Sequence, residues 1–205
     1  MPHASDPMFR TLHALRLKGF AKAEVISEVA ALPMPTVDDH LHTLEAAGRA
    51  QYREARQLWQ LTPAGRDFHR EALAADTANE PAGSLHQPYE RFLTLNEQFK
   101  HLCSEWQLRD GQPNDHADSG YDTEMLERLA AHHRMAEPLV AEMGEQVERL
   151  GAYGRRLDTA RQRVVAGETN MFTGVMCESY HDVWMELHED LILTQGIDRV
   201  AEGSF

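Results

Sequence analysis

The tightest constraint on this chain is an ordered set of local signals in its first 75 or so residues: helical apolar stripes, a glycine stop, a short hairpin, then Leu61-Thr62-Pro63-Ala64-Gly65. Phe9, Leu12 and Leu15 recur at helical spacing, and Gly19 ends that helix. Val25, Ile26, Val29 and Ala30 form a second amphipathic stretch, stopped by Pro33 and Pro35. A third helix follows, with Pro35 in its first turn and Val37, Leu41 and Leu44 at i, i+4 and i+7. Gly48 closes it. The segment RAQYREARQLWQL then places polar residues around Arg53 to Gln57 between β-favouring flanks, which predicts a short hairpin. Thr62-Pro63 reads as an N-cap followed by proline at the first helical position, so a fourth helix is expected to about Ala75.

Three helices, a hairpin and a linking helix, in that order, match a winged helix-turn-helix. The line Leu41-His-Thr-Leu44-Glu-Ala-Ala-Gly48, with the Leu-Thr-x-x-Gly exit after the hairpin, resembles the MarR and PadR families of bacterial regulators. The resemblance covers about the first third of the chain and implies double-stranded DNA as a partner. With Val37, Leu41 and Leu44 turned inward, helix geometry presents Pro35, Thr36, Asp39, His42 and Thr43 on the opposite side, as base-reading candidates. The wing supplies Arg53, Arg56 and Gln57 for phosphate or minor-groove contact, and Lys18 and Lys22 add backbone contacts. Asp38, Asp39 and Glu45 depart from the family pattern, because carboxylates repel phosphate. They favour an alternative in which the same fold is a protein-interaction module without DNA binding.

Charge supports assigning the phosphate-facing role to the first half alone. Residues 1–76 carry 9 Lys/Arg against 10 Asp/Glu, whereas residues 77–205 carry 11 against 23, so the net −13 belongs almost wholly to the second half. The breaker-rich run DTANEPAGSLHQ marks a linker over residues 76–87, between a DNA-binding domain at 1–75 and a helical domain at 88–205.

The second half reads as four helices, over 88–108, 122–136, 138–166 and 172–195, which makes the chain mainly α: a winged helix-turn-helix followed by a helical bundle. Val140, Met143, Val147, Leu150, Gly154, Leu157, Arg161 and Val164 follow alternating steps of three and four, interrupted in character by Gly154 and Arg161, and Met176, Tyr180, Val183, Trp184, Leu187 and Leu191 share a face. These two stripes are expected to form a homodimer interface, which would set two recognition helices about one DNA turn apart. Phe92, Phe99, Trp106, Tyr180 and Trp184 are either the aromatic walls of a small-molecule effector pocket or ordinary core.

Twelve His residues raise a metal-responsive alternative. Cys177 and His181 stand at i and i+4 with His188 beyond, and His132 and His133 lie on another helix; no metal ligand is assigned among them. Cys103 and Cys177 are expected to be buried small hydrophobes. There is no phosphate-cradling glycine loop, nucleophile elbow, HExxH or cysteine pair, so no enzyme and no cofactor is expected. Without a bilayer-length apolar run or a secretory apolar core, the protein is expected in the cytoplasm and away from membranes.

Overall fold

Local caps set the limits of the amino-terminal elements. Helix α1 (Pro7–Lys18) starts where the Asp6 carboxylate accepts the backbone N–H groups of Met8 and Phe9 at 2.8 and 3.2 Å, and it stops at Gly19 with φ +70°. In the computed structural model, which describes residues 2–78 and 83–198, a two-residue strand β1 (Phe20–Ala21) follows, then α2 (Ala23–Ala30) and α3 (Met34–Ala46). The carbonyls at the end of α2 are satisfied by Arg10, whose guanidinium donates to Ala30 and Ala31 at 2.9 Å each. Val37, Leu41 and Leu44 are 0–2% exposed and pack α3 on the first two helices.

Strands β2 (Ala50–Arg53) and β3 (Leu58–Leu61) form the expected hairpin, and β1 joins it to give an antiparallel sheet in the order β1-β3-β2. Phe20 and Ala21 pair with Gln60 and Trp59, a strand too short to leave a periodic trace in the sequence. Helix α4 (Pro63–Thr77) begins at Thr62, whose hydroxyl accepts from the Gly65 N–H at 3.0 Å and donates to the Gly48 carbonyl at 2.7 Å. Thr62 N–H donates to the Arg49 carbonyl at 3.0 Å. The Leu-Thr-x-x-Gly exit is thus a clasp between the end of α3 and the start of α4. Only glycine fits there, since a Cβ at position 65 would stand 1.8 Å from the Arg49 carbonyl oxygen.

The remaining helices are α5 (His86–Gln107), α6 (Ser119–Gln146), α7 (Ala152–Val165), α8 (Asn170–Thr173) and α9 (Tyr180–Gln195), so the mainly α class holds. A small hairpin of β4 (Leu108–Arg109) and β5 (Gln112–Pro113) occupies the loop before α6. Residues 79–82 of the expected linker and 199–205 of the helical half lie outside the described residues.

The helix expected over 172–195 is instead α8 and α9, separated by non-helical residues 174–179, and two further boundaries around α6 differ from the sequence reading. Helix α6 runs unbroken through Pro138, because Arg134 and Pro138 are both exposed and the carbonyl released by the missing N–H faces solvent, while Leu139, Val140 and Met143 hold the turn from the core side. The break falls at Val147, in extended conformation, where His3 inserts: its N–H donates to the Gln146 carbonyl at 2.8 Å, and its own carbonyl accepts from Glu148 N–H at 2.9 Å. A 3-10 turn (Glu148–Gly151) then reverses the chain, with Gly151 packed so closely on Gly144 that a Cβ on the latter would lie 2.8 Å from the Gly151 Cα.

This fold-back corrects the dimer expectation. Val140, Met143, Val147, Leu150, Leu157 and Val164 lie on α6, the turn after it and α7 and are 0–2% exposed within one chain; Tyr180, Val183, Trp184, Leu187 and Leu191 are 0–1% exposed, whereas Met176, expected on the same face, precedes α9 and is 74% exposed. Both stripes form the bundle's own core, so neither is the interface expected for a second copy. That core extends from Leu85 to Ile192 and is distinct from the amino-terminal cluster of Leu12 to Leu61.

Two substitutions test this packing. Leu187→Ala is expected to lower stability by about 2–5 kcal/mol in urea titrations, with a midpoint independent of protein concentration, whereas a dimer-interface leucine would make it concentration-dependent. Gly65→Ala should cost about 3 kcal/mol in the same measurement, since the obstacle is backbone and has no rotamer to yield.

Candidate nucleic-acid interface and the joint behind it

The α3 face opposite its apolar stripe is open. Pro35, Asp39, His42 and Thr43 are exposed and Thr36 is half-buried, so the five residues form one accessible strip. The Thr43 hydroxyl donates to the Asp39 carbonyl at 2.8 Å and keeps its acceptor lone pairs outward. Arg53, Arg56 and Gln57 are all exposed at the hairpin tip, where Gln57 takes φ +54° and its N–H donates to the Glu54 carbonyl at 3.2 Å. Neither Arg53 nor Arg56 has an ion-pair partner among the described residues. Several arginines of the bundle surface differ: Arg91, Arg109, Arg128, Arg161 and Arg163 each hold a carboxylate.

Between α3 and the hairpin lies a cleft of about 630 Å³ whose walls include Tyr52, Trp59 and His42 and whose rim carries Glu24, Asp38, Glu45 and Glu54. The His42 ring meets Trp59 edge-on at 5.5 Å, and Tyr52 tilts on Trp59 at 5.2 Å. The Glu45 carboxylate accepts the Tyr52 backbone N–H at 3.3 Å, which ties α3 to the hairpin and removes part of its charge from the open face.

The opposite side of this unit docks on the bundle through polar groups that the sequence reading left out. At the centre stands the Asp190 carboxylate, 2% exposed on α9. It accepts from His13 Nε2 and Thr194 Oγ1 at 3.0 Å each, from Tyr153 Oη at 3.1 Å and from Arg149 Nη2 at 3.3 Å. Burial alone would raise its pKa, but Arg149 and then His13 outweigh that and hold the carboxyl well below its ordinary range. Arg149 also donates to Ser5 Oγ at 3.2 Å and Asp76 Oδ2 at 3.3 Å, and Asp76 is 3.0 Å from His3 Nε2. Behind His13, its Nδ1 lies 2.8 Å from His69 Nε2 on α4. Burial first, then the positive charge of His13 and Arg16, bring His69 from 6.5 down to about 3.

A second cluster lies beside the first. Lys18 of α1 pairs with both Glu178 and Glu186, and Arg156 of α7 meets the other oxygens of the same carboxylates at 2.5 and 2.6 Å. Burial works against the charge of Lys18, but Glu186 and Glu178 raise its pKa above the ordinary value. Glu178 moves the other way, burial pushing it up and Arg156 and Lys18 pulling it down further. Lys18 is thus spent on the joint, and Lys22 alone of the two expected phosphate contacts stays exposed. A groove of about 590 Å³ opens along this joint, walled by Leu17, Phe20, Val25 and Leu58 from one side and Met176, Cys177 and Met185 from the other.

Two expectations need correction. Phe92, Phe99, Trp106, Tyr180 and Trp184 are 0–3% exposed and packed on one another and on Phe172: Phe92 and Trp184 stack at 4.7 Å, Phe99 is 5.3 Å from Tyr180 and 5.7 Å from Trp184, and Trp106 meets Phe172 at 4.7 Å. These rings fill the core and line no pocket, because each one's wall is another's face. The His/Cys set is dispersed as well. Cys177 precedes α9, whose N-cap is Ser179; His188 turns inward onto Phe92 at 5.2 Å; and His132 is wedged between Phe99 and Trp184 with both ring nitrogens unpartnered. Burial lowers His132 to about 4, so it sits there neutral. Among the described residues no three His, Cys, Asp or Glu side chains converge as a metal site would require. Cys103 is buried as expected, with its thiol pushed up to about 12 by burial, whereas Cys177 is only half-buried.

No family model matches this chain, and no curated protein or solved structure matches it either. No helix among the described residues is long and apolar enough to cross a membrane.

The joint makes a quantitative expectation. Asp190→Asn strands Arg149 and His13 in a desolvated site and should cost about 3 kcal/mol in urea titrations at pH 7. Glu142→Gln, which breaks the exposed pair with Arg91, should leave the midpoint nearly unchanged.

Proposed function

We propose that residues 7–77 are a winged helix-turn-helix that lays α3 in the major groove of double-stranded DNA, and that the chain is a transcriptional regulator with no catalytic chemistry of its own. The observation that carries this reading is the division of the unit into two sides. Its α1 and α4 are used up against the bundle through His13, His69 and Asp76, while the α3 strip and the hairpin tip stay open with Arg53 and Arg56 unpaired. In this arrangement Thr36, His42 and Thr43 meet base edges, Asp39 accepts from the exocyclic amine of cytosine, and the hairpin arginines neutralise phosphate. The carboxylates on α3 keep non-specific affinity low, because they oppose the phosphate term that every sequence shares. The groove along the joint, rather than the aromatic core, is where a small molecule would contact both units and favour one arrangement over another.

A second reading is favoured by the cleft beside α3. Four carboxylates on its rim and aromatic walls suit a basic segment of a partner protein.

One titration separates the two. A labelled duplex from the chain's own upstream DNA should give an anisotropy shift that falls steeply as salt rises. Arg53→Ala and Arg56→Ala should each reduce the log–log salt slope by about 1, and Asp39→Asn should strengthen binding to unrelated duplexes. No shift at low salt, with retention of a basic peptide, would transfer the site to protein docking.

A further inference from the structure

We infer that the joint between the amino-terminal unit and the helical bundle is a proton-operated latch, closed when the His13–His69 pair carries at most one shared extra proton and released when a second is taken up. The inference goes beyond DNA binding and holds whatever the α3 face recognises.

The geometry of the pair sets the limit. Asp190 Oδ1 takes the hydrogen on His13 Nε2, so the 2.8 Å line between His13 Nδ1 and His69 Nε2 can contain one hydrogen only. Either His69 donates to a neutral His13, or an imidazolium His13 donates to a neutral His69. A further proton would set two N–H groups head to head at that distance. Relaxation is blocked: the two rings are 1–2% exposed, their centroids 5.1 Å apart and their planes 15° from parallel, and Phe9 covers both. The surroundings oppose the second charge as well. Arg16 from α1 and Arg149 from the turn before α7 face the pair; Asp190 is engaged by Arg149, Thr194 and Tyr153, Asp76 by His3, Ser5 and Arg149, and Glu189 meets Arg16 at 3.4 Å.

Release leaves each unit its own core. The clusters of Leu12 to Leu61 and of Leu85 to Ile192 are separate, and the groups that join them at the latch are mostly polar. Once freed, the His69 ring would regain water and with it its ordinary pKa of 6.5.

The sign follows from His69, which is lowered from 6.5 to about 3 while docked. Docking stability is complete above pH 6.5 and is lost as pH falls, so the opening constant should rise about tenfold per pH unit below 6.5. Above about pH 5.3 the ordinary carboxylates are nearly all ionised and add little.

The test is thiol protection in the full chain. Ala14→Cys places a thiol on the side of α1 that faces Arg149, Tyr153 and Asp190. Its labelling by a dipyridyl disulfide is followed by peptide mass spectrometry from pH 7.5 to 4.5 and normalised at each pH to the rate in urea. Native Cys103 in the bundle core is the reference within the same molecule. The expected result is a loss of protection of about 15-fold between pH 6.5 and 5.0 at the introduced thiol, a smaller loss at Cys103, and a flat profile after His69→Gln, whose amide can still donate to His13. Equal losses at both thiols, a flat profile in the parent, or an unchanged slope in His69→Gln would overturn the latch. Should that variant fail to fold, ring NMR of the unmutated chain decides instead: the latch requires His69 to stay neutral at pH 5.5 while docked, and an ordinary titration near 6.5 with the joint intact would refute it.

Discussion

A single carboxylate, that of Asp190, governs how this molecule is put together. An ionised group taken wholly out of water is tolerable only when its lone pairs are filled and its charge is met, and here four donors from His13, Arg149, Tyr153 and Thr194 do both. Those donors come from α1, the turn after α6, α7 and α9, so satisfying one side chain fixes the position of two separately cored units. Arg149 passes the constraint on to Asp76 and Ser5, and His13 passes it to His69. An apolar joint of equal area would hold as well, but it would be insensitive to pH and tolerant of sliding. A desolvated polar joint has one register, because displacement leaves charges unpaired.

The same logic explains the charge distribution. The acidity of the second half is partly structural: Glu178, Glu186 and Asp190 are there to receive Lys18, Arg156, His13 and Arg149. Cations committed to the joint are withdrawn from any external partner. Those left unpaired on the amino-terminal unit include Arg53 and Arg56, on the side away from the bundle, and this division gives the unit a polarity that its near-neutral charge total conceals.

Much of the amino-terminal unit was readable in advance because its signals are local. Asp6 and Thr62 cap helices within three residues of themselves, Gly19 takes its positive φ at a helix end, and Val37, Leu41 and Leu44 declare a buried face by spacing alone. Strand β1 was hidden, since two residues cannot establish a period. In the second half the helical character was legible, but its breaks were not. Pro138 looked like a boundary and is carried through because its turn faces solvent, while the real break at Val147 is imposed by His3, more than 140 residues earlier. The aromatic and apolar stripes were seen correctly as stripes. A stripe records that a face is buried and does not record against what, so the aromatic stripe left core and effector pocket open, and two stripes of one chain's core were read as a dimer seam.

Sequence by itself therefore determined the helix-rich class, the order of the first four long helices and the hairpin between the last two of them, the Thr62 cap, the Leu-Thr-x-x-Gly exit with its glycine at position 65 and the residues on the outer face of α3. All of these follow from interactions within a few residues, where spacing and backbone preference suffice. Tertiary structure alone decided the joint. His3, His13, Lys18, Asp76, Arg149, Arg156 and Asp190 are scattered along the chain as ordinary polar residues, each with a solvated surface as its commonest fate. Only when two units meet does desolvation force them into mutual satisfaction, and that cost depends on distance in space rather than on distance in sequence.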